Sequence, residues 1–304
     1  MATPELQKVT ASMMNAIHDL PLLVARDEGY FRDEGLDVTV LTTPGSGQAN
    51  SDDRALKDNI FSRTMEALYD KGECDQFRMC EWGIMKRAVE TNVESGHRTA
   101  KIVALGSAMS TFAIVTDPKT GIFEPEQLKN VPIAVSQFNG SHFTMLKMME
   151  GFIKRDEIRI TNAGTHKQRL DALRAGKVKA VSLQEPWISV AEKMGCRILI
   201  ESRSTRSEAA GDELDGPTLA KMFRAEAQAA ETINRHPEKY VHYLVAEAGG
   251  ALDQSDLRLW RILNAPPTPY TRERFNDNYQ WTLGWGLVPP GATYENTVDN
   301  RAWQ

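Results

Sequence analysis

Short apolar runs that alternate with stretches of helical periodicity constrain the fold of this 304-residue chain more than any other feature. Leu36–Leu41 alternates apolar and polar residues, as a half-buried strand does, and Val131–Val135 is a short apolar run of strand length. Farther along, Leu146, Met149 and Ile153 fall on one face of a predicted helix. Strands that alternate with helices predict an α/β fold, in which helices pack on the faces of a sheet.

Residues that start or interrupt regular structure predict where the elements begin and end. Pro21 suits the first position of a helix, and Ser141 and Thr165 are expected to be the N-caps of two others. Lys101–Thr116 is a long run of strand-forming residues, which we expect to break at the Gly-Ser-Ala step near its middle. Residues 42–50 are polar and contain glycine, which predicts a loop.

The composition excludes two classes of partner. The net charge is −5 and the chain has no basic run, so nucleic acid is not an expected partner. No apolar stretch approaches the roughly 18 residues of a membrane span, so no membrane insertion is expected. The odd set of Cys74, Cys80 and Cys196 favours free thiols in a reducing compartment. We therefore expect a cytoplasmic protein, or a periplasmic one if a signal peptide has been removed.

Motifs that would bind a cofactor or a metal ion are absent from the sequence. No strand is followed by a glycine-rich dinucleotide fingerprint, and there is no P-loop and no His-Glu-x-x-His. Cys74 and Cys80 are separated by five residues, which matches no common zinc spacing. We expect neither a metal nor a cofactor.

Two segments carry a resemblance to a known family. They are His18–Val38, which contains Glu-Gly-Tyr-Phe-Arg-Asp-Glu-Gly-Leu, and Arg169–Trp187, which ends in Leu-Gln-Glu-Pro-Trp. With Leu105–Ser107 and Asp117–Leu128 between them, they resemble the type II periplasmic-binding superfamily. More narrowly, they are similar to the branch of sulfonate, nitrate and pyrimidine-precursor binding proteins and thiamine-pyrimidine synthases. The likeness covers about residues 8–200.

The resemblance implies an α/β fold of two lobes, with mixed sheets flanked by helices and a cleft between the lobes. Lobe 1 would be discontinuous, with residues 1–107 and 201–304, and lobe 2 would be residues 108–200. Crossover strands near Gly106 and Ile200 would form the hinge. A small anionic ligand would bind in the cleft, where strand ends and helix N-termini converge.

Three residues that follow predicted strands are candidates for chemistry. His18 could act as an acid or a base, although a surface histidine that caps a helix is the alternative. Glu81 could also exchange protons if it is partly desolvated, or it could pair with a nearby arginine or lysine. Cys80 could be a nucleophile if a cation lowers its pKa, and the alternative is a small buried residue.

The predicted ligand-binding residues surround a helix start after Gly140. Free backbone N–H groups and the helix dipole at Ser141 would form an anion site, although an ordinary N-cap would have the same sequence. Trp187 could stack on a planar ligand, and Glu185 could accept a hydrogen bond from a ring nitrogen or hydroxyl or have a structural role instead. The full set of ligand-binding candidates is Trp82, Ser107, Asn139, Ser141, His142, His166, Glu185 and Trp187.

Two functions remain open at this stage. The first is a cofactor-independent lyase or hydrolase with decarboxylase-like acid/base chemistry on an aromatic or heteroaromatic acid. Met79–Trp82 is similar to the cleft segment of dihydroxyphthalate decarboxylases, whereas the cysteine-rich motif of thiamine-pyrimidine synthases is missing. The second is the solute-binding subunit of an ABC importer for a sulfonate, nitrate or pyrimidine-type ligand. We place the enzyme first. The sequence does not define the oligomeric state, and a homodimer is compatible with it.

Overall fold

The computed structural model describes residues 5–42, 64–90 and 98–304, and nine strands in these ranges form one mixed sheet. The strands are β1 (Gln7–Met13), β2 (Leu36–Thr42), β3 (Gln76–Met79), β4 (Lys101–Thr116), β5 (Pro132–Val135), β6 (Arg159–Asn162), β7 (Ala180–Gln184), β8 (Arg197–Ala210) and β9 (Leu263–Asn264). Their order across the sheet is β2-β1-β3-β8-β4-β7-β5-β6, and β9 pairs with β4 outside this path.

Helices flank both halves of this sheet. They are α1 (Ala16–Asp27), α2 (Tyr30–Asp33), α3 (Thr64–Asp70), α4 (Glu81–Glu90), α5 (Gly140–Met149), α6 (His166–Arg174), α7 (Trp187–Lys193), α8 (Gly216–Arg235), α9 (Val241–Glu247), α10 (Arg272–Gly284) and α11 (Tyr294–Thr297). Among the helices of the described ranges, none combines the length and the apolar character that crossing a membrane requires.

The long antiparallel strands β4 and β8 join the two halves of the sheet. Their pairing runs from Lys101 opposite Ala210 to Thr116 opposite Arg197. On one side lie β1, β2 and β3, with β1 parallel to both others, and on the other side lie β5, β6 and β7, with β5 parallel to both others. The strands therefore form one continuous sheet, because β4 and β8 pass through both halves.

The expected break in Lys101–Thr116 is a shift in register within a continuous strand. The pairing of β4 with β8 shifts between Leu105 and Met109, around Gly106. A Cβ atom at Gly106 would lie 2.5 Å from Glu208 Oε1 and 3.1 Å from the Arg206 carbonyl oxygen. Glycine at this position therefore avoids a close contact between the two central strands.

Two helix starts differ from the prediction, and one agrees with it. Pro21 lies inside α1, which begins at Ala16 because the side chain of Asn15 caps it and accepts a hydrogen bond from His18 N at 3.1 Å. Asn139, rather than Ser141, is the N-cap of α5. Thr165 caps α6 as predicted, in a reciprocal capping box with Gln168.

The apolar cores do not divide strictly between the two halves of the sheet. The largest buried cluster contains Leu20 of α1 and Met222 of α8, and it extends into the other half through Leu183 of β7. A second cluster joins Phe77 of β3 to Phe275 of α10, and a third surrounds Met145 of α5 in the other half. The polar loop predicted for residues 42–50 lies outside the described residues after Thr42.

Candidate functional site

His18 lies at the meeting point of the two halves of the sheet. It sits in the first turn of α1 and is 1% exposed. One ring nitrogen, Nδ1, bonds to the hydroxyl of Ser110 on β4, and Nε2 lies 2.7 Å from Gln184 Nε2 at the end of β7. Because Gln184 belongs to the second half of the sheet, this contact joins the two halves.

Arg206 of β8 reaches the same imidazole. Its Nε lies 3.0 Å from His18 Nδ1, and its Nη2 also bonds to the ring at Nε2. A guanidinium and an amide NH₂ group only donate, so His18 Nε2, which Arg206 and Gln184 both contact, must accept. The ring proton then lies on Nδ1, which donates to the Ser110 hydroxyl, and the imidazole is neutral. Burial, together with the charge of Arg206, holds the pKa of His18 well below its usual value, which agrees with this protonation state.

Arg169 of α6 provides a second buried guanidinium in this region. Its Nη1 donates to Ser141 Oγ at 2.8 Å, and its Nη2 lies 2.6 Å from His166 Nδ1. Ser141 Oγ in turn donates to Asn139 Oδ1 at 2.6 Å. The side chain is 1% exposed, and its Nε has no hydrogen-bond partner within the described part of the chain.

No carboxylate pairs with Arg169 among residues 5–42, 64–90 and 98–304. Burial alone lowers the pKa of Arg169 to about 9. Burial and the charge of Arg169 also lower the pKa of His166 well below its usual value, so this histidine is neutral too. The region therefore contains a buried cation that contacts a neutral imidazole and that no described carboxylate compensates.

These residues form one connected polar network, which we call the cleft cluster. Gln184 bonds to both His18 and His166, and His166 bonds to Arg169, so the network runs without a gap from the first half of the sheet to α5 and α6. The start of α5 is close by, since a Cβ atom at Gly140 would lie 3.4 Å from Arg206 Nη2. The cleft cluster comprises His18, Ser110, Asn139, Ser141, His166, Arg169, Gln184 and Arg206.

A second group of buried charges includes Asp19, the residue that follows His18, and Ser107 contacts this group. Arg78 of β3 pairs with Glu208 at 2.7 Å and with Glu226 at 2.6 Å, and it reaches Asp19 at 3.4 Å. Ser107 donates to Glu226 Oε2 at 3.0 Å. The predicted ligand residue Ser107 therefore contacts an internal carboxylate that is already paired.

Glu81 begins α4 and contacts α10 and the segment just before it. Its carboxylate accepts hydrogen bonds from Arg274 Nε at 2.7 Å, from Asn278 Nδ2 at 2.7 Å and from the Tyr270 hydroxyl. The apolar pattern of Phe77–Trp82 predicts a strand, but β3 ends at Met79 because α4 starts two residues later. Glu81 thus ties α10 to α4, and its role in proton transfer stays a prediction.

Cys80 and Trp82 form an apolar seam with Phe143. The Trp82 and Phe143 rings lie 5.0 Å apart, and Trp281 of α10 lies 5.8 Å from Trp82 on another side. Both Cys80 and Trp82 are buried. The Trp82 ring also faces the ammonium of Lys147, at 5.1 Å. The nucleophilic role of Cys80 and the ligand contact of Trp82 remain predictions.

The last candidates are His142, Glu185 and Trp187, which do not belong to the cleft cluster. His142 follows Ser141 in the first turn of α5, and its Nδ1 accepts a hydrogen bond from Phe138 N at 3.2 Å. Glu185 Oε1 accepts from Ser189 Oγ at 3.0 Å and pairs with Arg261 at 3.1 Å. Trp187 is partly buried against the largest apolar cluster. No group of three or more His, Cys, Asp or Glu side chains in the described part of the chain could hold a metal ion.

Arg169 and Arg206 were not predicted as site residues from the sequence, and Gln184 was placed beside Glu185 and Trp187 without a role of its own. A signal for Arg169 was present, because it precedes Leu173 by four residues and so shares the inward face of α6 with it. The apolar pattern predicts only a short strand over Arg197–Ile200, and the full length of β8 is needed to bring Arg206 to the cleft.

Neither the protein-family models nor the curated proteins contain a match to this chain. Solved structures match it over nearly its whole length. The alkanesulfonate-binding protein SsuA from Xanthomonas axonopodis pv. citri, bound to MOPS, is 14% identical with a TM-score of 0.69, covering 98% of this chain and 99% of that one. The periplasmic nitrate-binding protein NrtA from Synechocystis PCC 6803 is 12% identical with a TM-score of 0.72, covering 99% and 88%.

An enzyme also has this fold. The desulfurization enzyme DSZB is 11% identical with a TM-score of 0.61, and the alignment covers 95% of each chain. The chain therefore has the two-lobed, type II periplasmic-binding-protein fold, and the fold class predicted from the sequence is confirmed. Because one fold hosts binding proteins and an enzyme, the function must be argued from the site.

Proposed function

We propose that this protein binds a small molecule through an anionic group in the cleft between its lobes, as the solute-binding subunit of an importer. The observation that carries the proposal is the buried guanidinium of Arg169, which no described carboxylate neutralises. Burying an isolated charge is unfavourable unless a partner of opposite charge comes with it. A sulfonate, nitrate or carboxylate group would be that partner.

The surroundings of Arg169 support an oxyanion rather than another kind of ligand. Ser141 and Asn139 lie at the start of α5, a ten-residue helix, where backbone N–H groups and the helix dipole favour negative charge. His18 and His166 are neutral, so they supply hydrogen bonds without adding charge. A guanidinium can bind two oxygens of a planar or tetrahedral oxyanion at once.

We infer that the lobes divide as the sequence suggests, with residues 1–107 and 201–304 in lobe 1 and residues 108–200 in lobe 2. The central strands β4 and β8 support this division, because they alone run through both halves of the sheet. His18 then belongs to lobe 1 and Arg169 to lobe 2, so a ligand between them would contact both lobes. In this proposal the protein works in the periplasm, and its three cysteines are buried free thiols.

Binding is better supported than turnover. Of the three residues predicted to do chemistry, Glu81 is engaged by three donors of one helical segment and Cys80 lies in an apolar seam. The neutral His18 is held by Ser110, Gln184 and Arg206. Such contacts fix side chains in place, which suits a preformed binding site.

The proposal predicts that Arg169→Met weakens binding of an acidic ligand by about 10- to 100-fold, because a hydrogen-bonded charge pair is lost. Calorimetric titration with methanesulfonate, nitrate and benzoate would identify a binding acid and then compare the variant with the wild type. Arg174→Met is the matched control, since Arg174 lies on the same helix but pairs with Asp117 at 2.6 Å.

The same titrations decide between the alternatives. Equal affinity of wild type and Arg169→Met for every acid that binds would contradict the proposal. Incubating the wild type with the acids and analysing the products tests the enzyme hypothesis directly. If the wild type converts a bound acid at a steady rate, the protein is a lyase or hydrolase that uses the same cleft, and not a binding subunit.

A further inference from the structure

Helix α10 spans the boundary between the two lobes. Its first half packs in lobe 1, where Phe275 and Tyr279 join the cluster around Phe77. Its last turn packs on lobe 2, where Trp281 and Trp285 join the cluster around Met145. One rigid helix therefore contacts the cores of both lobes.

The first half of α10 is fixed firmly to lobe 1. Arg274 and Asn278 both donate to the buried carboxylate of Glu81, and Arg274 Nη2 also donates to Thr205 Oγ1 of β8 at 2.8 Å. Charge-assisted hydrogen bonds to a buried carboxylate are among the stronger contacts in a protein, although the Arg274 side chain itself is 38% exposed. When the lobes separate, α10 should move with lobe 1.

The contacts of α10 with lobe 2 converge on Glu150, the C-cap residue of α5. Trp281 Nε1 donates to Glu150 Oε2 at 2.7 Å, and Trp285 Nε1 donates to Glu150 Oε1 at 2.8 Å. Arg155 of lobe 2 pairs with the same carboxylate and stacks over the Trp285 ring at 5.2 Å. Each carboxylate oxygen of Glu150 thus accepts a hydrogen bond from one indole N–H.

Lys147, one turn earlier on α5, reinforces this contact. Its ammonium lies 4.9 Å from the centre of the Trp281 ring and 5.1 Å from that of Trp82, and it donates to Asn278 Oδ1 at 2.8 Å. Trp82 and Asn278 belong to lobe 1, so Lys147 also bridges the boundary. A cation over an indole face adds to the attraction between the lobes.

We propose that Glu150 and the indoles of Trp281 and Trp285 form a latch that stabilises the closed arrangement of the lobes. None of these three residues belongs to the cleft cluster, so the latch acts on the lobes and not on the ligand. Lobe opening about β4 and β8 would pull both indoles away from Glu150 because α10 is anchored at Glu81. The inference rests on the lobe division proposed above, and the identity of the ligand does not enter it.

The test measures closure of the ligand-free protein by small-angle X-ray scattering. Glu150→Ala should lower the ratio of closed to open molecules by about tenfold, since two charge-assisted bonds are lost at partly exposed positions. The double variant Trp281→Phe with Trp285→Phe keeps the rings, removes only the N–H donors, and should open the molecule to a similar degree. The wild type should have the smaller radius of gyration.

Glu157→Ala is the matched control, because Glu157 is a glutamate of the same lobe that pairs with Lys129 at 2.7 Å. Indole N–H resonances of the ¹⁵N-labelled protein report the latch directly, and two of them should shift in Glu150→Ala but not in the control. Equal radii of gyration for the wild type and the two latch variants would overturn the proposal.

Discussion

Buried charge is the feature that distinguishes the important residues of this protein from their neighbours. Arg78 lies among three carboxylates, those of Asp19, Glu208 and Glu226, and its charge is compensated within the protein. Arg169 has no such partner among the described residues, and a ligand would supply the missing charge. Two arginines of similar burial therefore have different roles, which the carboxylates around them define.

Glu247 gives a prediction about pH. Its carboxylate accepts a hydrogen bond from Ala16 N at 2.7 Å, and burial raises its pKa from 4.5 to about 7. Between these values the folded state binds more protons than the unfolded state, so this residue makes the free energy of unfolding fall as the pH rises from about 4.5 to 7. Glu247→Gln keeps an acceptor for Ala16 and should remove this part of the pH dependence.

Urea unfolding at pH 5 and pH 8 checks the prediction. Relative to the wild type, Glu247→Gln should gain up to about 3 kcal/mol of unfolding free energy on going from the lower to the higher pH. If the two proteins lose or gain stability in parallel between these pH values, Glu247 does not titrate in this range.

The sequence predicted part of the cleft cluster, and the missing part has a physical reason. His18, Asn139, Ser141 and His166 follow strands, so their position in the chain indicated the cleft. The burial of Arg169 arises when α6 packs against the start of α5, and local patterns do not encode that tertiary contact. Residue type and spacing indicate where a strand ends, but not which charges lose their solvent.

At the scale of elements, the central strands and α10 carry the connections between the lobes. The apolar periodicity predicted most strands and helices, because each element buries one face. The length of β8 was underestimated, since polar residues such as Ser202 and Ser204 interrupt its apolar pattern. These residues lie in a strand because β4 supplies hydrogen bonds along its whole length.

Gly106 provides a test of the central strands. Gly106→Ala would place a methyl group 2.5 Å from Glu208 Oε1, which the pair with Arg78 holds in place. We expect a loss of about 1–3 kcal/mol in the free energy of unfolding, measured with urea, because the crowded strands must shift. Gly151→Ala, where the nearest atom is 3.5 Å away, should change it much less. Equal effects of the two substitutions would contradict this account of the register shift.

For the whole molecule, the two-lobed fold follows from the sequence, and the choice of function does not. The segments around His18 and Arg169 were sufficient for the fold, which solved structures confirm at 12–14% identity. The enzyme was placed first because a thiol and a carboxylate follow β3. The structure directs Glu81 toward α10 and Cys80 into the apolar seam, which favours the importer subunit.

A crystal structure with the tightest-binding acid of the titrated panel would show whether Arg169 binds the anionic group of the ligand. Oxygens of that group should lie within hydrogen-bond distance of the Arg169 guanidinium and of Ser141 at the start of α5. His18 should contact the same ligand from the other lobe. A ligand bound outside the cleft, or one whose anionic group faces away from Arg169, would contradict the account.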